Sequence, residues 1–401
     1  MPHTWVVVFT ACVWILFLAW LRQVVIVAMG MRKLPHVGPA AASPSVDAHR
    51  TDEFDLTVIV PACNEEASIA SSLHSLVSSH GIRLQIIAVN DRSTDGTADL
   101  MNRFVAHHPP ARNTHSIQVL HIDQLPSGWL GKTHAMHVAA EQARSKWILF
   151  TDADVIFAPD ALHWISSCAE TLGSDHFVVL PTHARQGISE SAMLSVMHSL
   201  SQWVARYWKV NEAGSKEFLG VGGFNMIRRD VYRTLGGFSP LRLEVIEDMS
   251  LGWMVKRAGF RSHVALGNGL VNIRWIEGMF GIVHNMEKNG FSLFRYRPWL
   301  CILACFGLLI NILFPLAGIV MGGWARIAGL LMYFAIGTIF HINRKINKIN
   351  PMAAILFAPC ATILCFGFAR SMILTLLNRG VTWRGTHYKL AEIREAAASW
   401  K

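Results

Sequence analysis

Residues 147–155 read Trp-Ile-Leu-Phe-Thr-Asp-Ala-Asp-Val, and the reading of this stretch decides the fold. Four apolar residues, Trp147 to Phe150, are too short a run for a helix and end at once in Thr151-Asp152-Ala153-Asp154. They read as a strand buried on both faces whose exit carries two carboxylates. Such a pair can hold a hard divalent cation and a ribose, the cation then bridging the phosphates of a nucleotide diphosphate. The Asp-x-Asp triplet is common by chance, so its weight comes from its place after an aliphatic run.

Working outward, short β-branched runs alternate with longer helical stretches. Leu56 to Val60, Leu84 to Val89, Ile117 to Ile122 and Phe177 to Leu180 read as further strands. Helices are expected near 64–79, 95–107, 131–144 and 159–171. Strand, helix, strand in repetition predicts an α/β fold, a mostly parallel sheet with helices on both faces. In such sheets a ligand sits beyond the carboxyl ends of the strands, so the residues that leave each strand are the ones to inspect.

Three more exits carry polar groups. Pro61-Ala62-Cys63-Asn64-Glu65-Glu66 follows the first strand as a turn opening a helix, and Asn90-Asp91-Arg92-Ser93-Thr94-Asp95-Gly96-Thr97 follows the second. An Asp at such an exit can accept bonds from a nucleobase or ribose; either turn taken alone could equally be an ordinary Asx-type cap. Glu247-Asp248 opens a helix, where a carboxylate could deprotonate an acceptor hydroxyl or simply favour the helix N-terminus, and the two are compatible.

The flanks belong to a different solvent. Of 401 residues 52% are hydrophobic and 16% charged, and the excess lies at residues 5–29 and from Trp299 to Leu377. Residues 1–33 read as a transmembrane anchor and not a signal peptide, because Arg22, Arg32 and Lys33 follow the apolar run. That places the N-terminus outside and the next domain in the cytosol. Residues 34–54, rich in Pro, Ala and Ser, read as a linker, 55–297 as a cytosolic domain with interfacial helices at 188–211 and 275–299, the first of which reads equally well as a domain helix packed on the core, 298–380 as transmembrane helices and 381–401 as a basic tail. Pro359 leaves two readings of 351–368: a third C-terminal span, or a re-entrant segment with 369–380 along the inner surface. The net charge of +9 is explained by Lys and Arg at membrane edges and excludes no class alone, but no nucleic-acid signature accompanies it. Seven cysteines without a CxxC spacing read as small buried hydrophobes, and His134 with His137 as a surface or core pair.

Taken as an ordered set, VIVPACNEE, VNDRSTDGT, LPSGWLGK, FTDADV, GGFNMIRRDVYRTLGGF and IEDMSLG resemble the landmarks of membrane-bound family 2 glycosyltransferases with the GT-A fold, over about Asp55 to Asn289. The hopene-associated and carotenoid glycosyltransferases are closest in appearance, ceramide glucosyltransferase more distant. The resemblance implies that Pro61, Glu65 and Asp91 fall in the nucleotide pocket and that Asp152 contacts the nucleotide sugar. It implies Asp154 as the main ligand of Mg²⁺ or Mn²⁺, Asp248 as the catalytic base, and Lys132 near the diphosphate, where by residue type alone it could be a surface lysine. Val271-Asn272-Ile273-Arg274-Trp275 keeps the Arg-Trp of a Q/R-x-x-R-W motif and lacks its leading polar residue. Arg274 could still brace the diphosphate, and Trp275 could stack on the acceptor or sit at the interface. The expectation is an inverting, inner-membrane, multi-pass enzyme moving sugar from a nucleotide sugar, a UDP-sugar first, to a lipid acceptor. The alternatives are a processive polysaccharide synthase and a catalytically silent membrane scaffold.

Overall fold

The computed structural model describes residues 2–39, 54–108, 115–184, 187–274, 278, 280–348 and 350–398. The chain divides into two compact units, one of residues 34–184 and 207–274, the other of 1–33, 185–206 and 275–398. Segments 185–206 and 275–297, expected within the 55–297 domain, thus group with the long apolar helices.

The first unit is built on β1 (Leu56–Ala62), β2 (Leu84–Asp91), β3 (Ser116–Ile122), β4 (Trp147–Phe150), β5 (Ile156–Phe157), β6 (His176–Leu180), β7 (Thr182–His183), β8 (Asn225–Arg228), β9 (Ser262–Leu266) and β10 (Val271–Ile273). Seven of them form one sheet in the order β3-β2-β1-β4-β8-β6-β9, and β5-β10-β7 form a small second one. Within the large sheet only β8 runs against its neighbours. The apolar runs resolve into two faces at period two. Leu56, Val58, Leu84, Ile86, Trp147 and Leu149 pack with the helices Ile69–Val77 and Ala161–Thr171, while Ile59, Ile87, Ile148 and Phe150 pack with Gly131–Glu141 and Glu247–Arg257. Each such side chain contributes about 2 kcal/mol on burial, so neither face can be left to water.

The five strands read from sequence are present, and β8 and β9, four and five residues long, were missed. Pro61, expected in a turn, lies inside β1 opposite Val89; the pairing of β1 with β4 has already ended at Ile59, so no second neighbour strand flanks the proline there. The helix expected from 64 starts at Ile69, because Asn64 takes a left-handed φ of 58° and the intervening turn bonds elsewhere. The expected linker is partly structured: Leu266 N–H donates to Pro35 and Val37 N–H to Leu266, extending the edge at β9. Residues 40–53 lie outside the described residues.

Among its described residues the second unit contains four helices long and apolar enough to cross a membrane, within 4–31, 298–321, 323–342 and 351–377. Helix Pro298–Met321 runs against Gly323–Ile342, with Gly329 close to Pro315 and Gly318 close to Ala325. It also runs against Phe357–Leu377, for Cys301 Sγ lies 3.6 Å from the Phe368 carbonyl and Cys305 Sγ 3.7 Å from that of Cys365. Phe357 begins beside Tyr333, midway along its helix, and Pro351 and Ala354 sit against Gly337. The last helix therefore starts part-way along the bundle and returns to the end where Pro298 begins. Pro359 does not break it, because a proline in the first turn removes no intrahelical bond; residues 369–377 continue the helix instead of leaving it. The expected tail at 381–398 is also ordered. β11 (Gly380–Trp383) and β12 (Thr386–Lys389) form a hairpin around Arg384-Gly385, both at positive φ, followed by a helix, Leu390–Ala398, that buries Ile393 and Ala397.

Candidate active site

The exits of β1 and β2 interlock. Asn64 Oδ1 accepts from Thr94 N–H (2.8 Å), Thr97 Oγ1 from Glu65 N–H (2.8 Å), and Glu66 Oε2 from Gly96 N–H (3.0 Å). These are the cap bonds the residue types allow, and they hold Glu65 beside the end of the sheet. Asp91, 1% exposed, takes Arg92 Nε at 2.8 Å and Nη2 at 3.2 Å. A Cβ on Gly131 would collide with the Asp91 carboxylate, so glycine as the first residue of helix Gly131–Glu141 lets that helix start against β2 without displacing the Asp91–Arg92 pair. His134 and His137 of this helix pack on Trp129, as a core pair would.

The next residue is the centre of the site. Lys132 Nζ lies 2.6 Å from Asp152 Oδ1 and 2.7 Å from Glu247 Oε1. Burial by itself would lower the ammonium's pKa, but Asp152, Glu247 and Asp248 outweigh it and leave it raised. Asp152 is placed by β8: its N–H donates to the Gly222 carbonyl, and Thr151 Oγ1 donates to that of Gly223 at 2.9 Å. Because β8 is antiparallel, its start meets the end of β4, and Lys132, Asp152, Gly222, Asn225, Glu247 and Asp248 line one crevice with Phe150 and Phe238. The Asp248 carboxyl is pushed up to about 7, by burial first and then by Glu247, with Lys132 opposing. Asp248 Oδ1 also accepts from Met249 N–H at 2.7 Å, so the helix-start role and the crevice role coexist.

Behind the crevice, Asn225 Nδ2 donates to the Asp248 carbonyl at 3.2 Å, and its Oδ1 lies 2.6 Å from His176 Nε2. The backbone of 219–220 packs against the helix Glu247–Arg257 with no room for side chains: a Cβ on Gly220 would fall on the Asp248 carbonyl, and one on Gly252 on that of Leu219.

Asp154 is pushed up to about 6, by burial first and then by Asp152 and Glu65. This local excess of negative charge, with oxygen donors only, fits a hard divalent cation. Among the described residues no group of three or more His, Cys, Asp or Glu is placed to hold an ion, so a cation here would draw remaining ligands from phosphate or water. Arg274 leaves β10 exposed on the small sheet, and Trp275 lies outside the described residues. The structure thus brings together Lys132, Asp152 and Asp248, with Asp154 and Glu65 adjoining and Asp91 against Gly131, the residue before Lys132. Sequence reasoning missed Glu247 and Asn225 as site residues. Glu247 adjoins Asp248, but nothing in the sequence tells which of two first-turn carboxylates meets the lysine; Asn225 gives no signal of its own.

Residues 57–236 match the family described as Glycosyl transferase family 2. The chain carries a glycosyl transferase family 2 domain. The chain is similar to 4,4'-diaponeurosporenoate glycosyltransferase of Staphylococcus aureus strains USA300 and NCTC 8325, 28% identical over 201 residues, covering 49% of this chain and 50% of each relative. The match therefore spans half the length of these curated relatives. Among solved structures, mannosyltransferase PcManGT from Pyrobaculum calidifontis, in complex with GDP-Man and Mn2+, covers 92% of this chain and 99% of its own at a TM-score of 0.52 and 16% identity. That likeness shows the fold, and the large sheet with its single reversed strand is the GT-A fold.

Proposed function

We propose that the chain is an inverting glycosyltransferase, moving a sugar from a nucleoside-diphosphate sugar, a uridine one first, to a lipid hydroxyl at the cytosolic face of the bacterial inner membrane. The observation that carries this is Lys132 held between Asp152 and Glu247 with Asp248 alongside, at the carboxyl ends of the parallel strands. A largely buried ammonium among carboxylates is an electrostatic anchor for a diphosphate entering a site rich in negative charge. Glu65 and Asp91 are assigned to the nucleoside, Asp152 to the sugar nucleotide, and Arg274 to bracing the diphosphate. Asp248, near neutrality in pKa, takes the proton of the acceptor hydroxyl as its oxygen attacks the anomeric carbon; the bond to the diphosphate breaks on the opposite face and the nucleotide leaves with the electron pair. A Mg²⁺ or Mn²⁺ ion on Asp154, with Asp152, would supply counter-charge to the departing diphosphate.

The lipid acceptor is supported by the four apolar helices and by the acceptor in the name of the Staphylococcus aureus relatives. The test is transfer by washed membranes with Mn²⁺ and labelled UDP- and GDP-sugars, followed by lipid extraction. Label in an extractable lipid with a UDP-sugar is the expected result. Label in high-molecular-weight material, or donor binding without transfer or hydrolysis, overturns the reading in favour of a polymer synthase or a silent scaffold.

A further inference from the structure

A second cavity lies in the unit of apolar helices, independent of the sugar-transfer reading. It has a volume of about 370 Å³ and opens where helix Phe357–Leu377 ends, lined by the last turn of that helix, by the helix Gly281–Asn289 and by the hairpin β11-β12. Its polar groups are mostly donors: the cations Lys288 and Arg384, the amides of Asn285 and Asn378, and the hydroxyl of Thr382. The one carboxylate, Glu287, is already engaged, its Oε1 accepting from Arg370 Nε at 2.9 Å and Nη2 at 2.6 Å. Two of the helix-end carbonyls that would repel an anion are taken up as well, Leu374 by Asn378 N–H and Leu376 by Arg379 N–H.

Two features fix the cations. Lys288 Nζ stands 4.8 Å from the ring centroid of Trp383, and Arg384 sits at a φ of 48°, a left-handed position that a turn would ordinarily give to Asn or Gly. With the four apolar helices read as membrane segments, the cavity falls at headgroup depth, beside a tryptophan at the end of an apolar stretch, the level at which Trp and basic residues gather.

We infer that this cavity binds the anionic phosphate headgroup of a bilayer lipid. Its volume exceeds what a bare phosphate needs and suits a phosphate with a small alcohol attached. Its place at the end of an apolar helix lets the acyl chains stay in the hydrocarbon while Lys288 and Arg384 take the phosphodiester.

The test uses the full chain purified in a neutral detergent and titrated with dihexanoyl phosphatidylglycerol, dihexanoyl phosphatidylcholine and inorganic phosphate. Phosphatidylglycerol should saturate one site and bind more tightly than either other probe. Lys288→Ala with Arg384→Ala should weaken it about 30-fold. Lys216→Ala with Lys389→Ala, which removes equal charge outside the cavity, should leave it unchanged, and Arg384→Lys should retain most of it should the double variant prove unstable. Equal binding of the two lipids, phosphate binding as tight as phosphatidylglycerol, or unchanged affinity in the folded Lys288/Arg384 variant would each overturn the inference.

Discussion

At the scale of single residues the crevice is a problem in charge compensation. Asp152 and Glu247 share one ammonium, and Glu247 is buried. Lys132→Met should therefore destabilise the protein by about 3 kcal/mol, because it leaves a buried carboxylate unpaired, and adding Glu247→Gln should recover part of the loss. Thermal unfolding of the two variants beside the wild type checks both statements. Asp248 makes the opposite case, since its amide isostere keeps the shape and the bond from Met249. Asp248→Asn should lower transfer about 10³-fold and leave donor affinity, read by calorimetry, nearly intact. Equal loss of both would refute its role as base.

At the scale of elements, the site depends on how closely backbones approach. Gly220 lets the segment before β8 lie on the first turn of helix Glu247–Arg257, and a methyl group there meets the Asp248 carbonyl, which cannot yield without moving the helix. Gly220→Ala should cost about 2 kcal/mol and most of the activity although no polar group is lost. Gly307→Ala, in a helix with open space around it, should be neutral or slightly stabilising. The pairing of β6 with β8 carries a pH dependence. His176 is fully buried between Ser262 Oγ and Asn225 Oδ1, both within hydrogen-bonding distance, and burial depresses it to about 4 from its ordinary 6.5. A depressed histidine favours the folded state while neutral, so its contribution is complete above pH about 6.5 and is lost as the pH falls towards 4. At most about 3 kcal/mol should disappear across that window. Unfolding profiles at pH 7.5 and 5 should converge in His176→Gln relative to the wild type.

At the scale of the whole chain, the apolar unit decides a point of topology. The contacts of Phe368 with Cys301 and of Phe357 with Tyr333 turn the last helix back towards the end from which Pro298 starts. A helix that enters part-way and returns does not change sides. The C-terminus should accordingly share a side with the end of the bundle where Pro298 begins, which the proposed orientation puts in the cytosol, and a phosphatase reporter fused after Lys401 should be inactive in a periplasmic assay while a cytosolic fluorescent reporter should shine. An active phosphatase would mean a full fourth crossing. The proposed orientation then puts Arg379, Arg384 and Lys389 on the side where basic residues accumulate.

The sequence holds only what a local pattern can carry. It records the alternating strands and helices of the sheet, its polar exits at Glu65, Asp91, Asp152 and Asp154, the helix-start carboxylates Glu247 and Asp248, and the apolar segments, because burial on two faces and long apolar runs both leave their mark on consecutive residues. Three things were settled only by tertiary structure. Glu247 pairs with Lys132 from more than a hundred residues away, a distance no spacing rule spans. β8 is a four-residue strand whose reversed direction is fixed by its neighbours and not by its own composition. The course of residues 350–377 depends on which helices they pack against, since a proline near a helix start is compatible with a break or with none, and only the packing chooses.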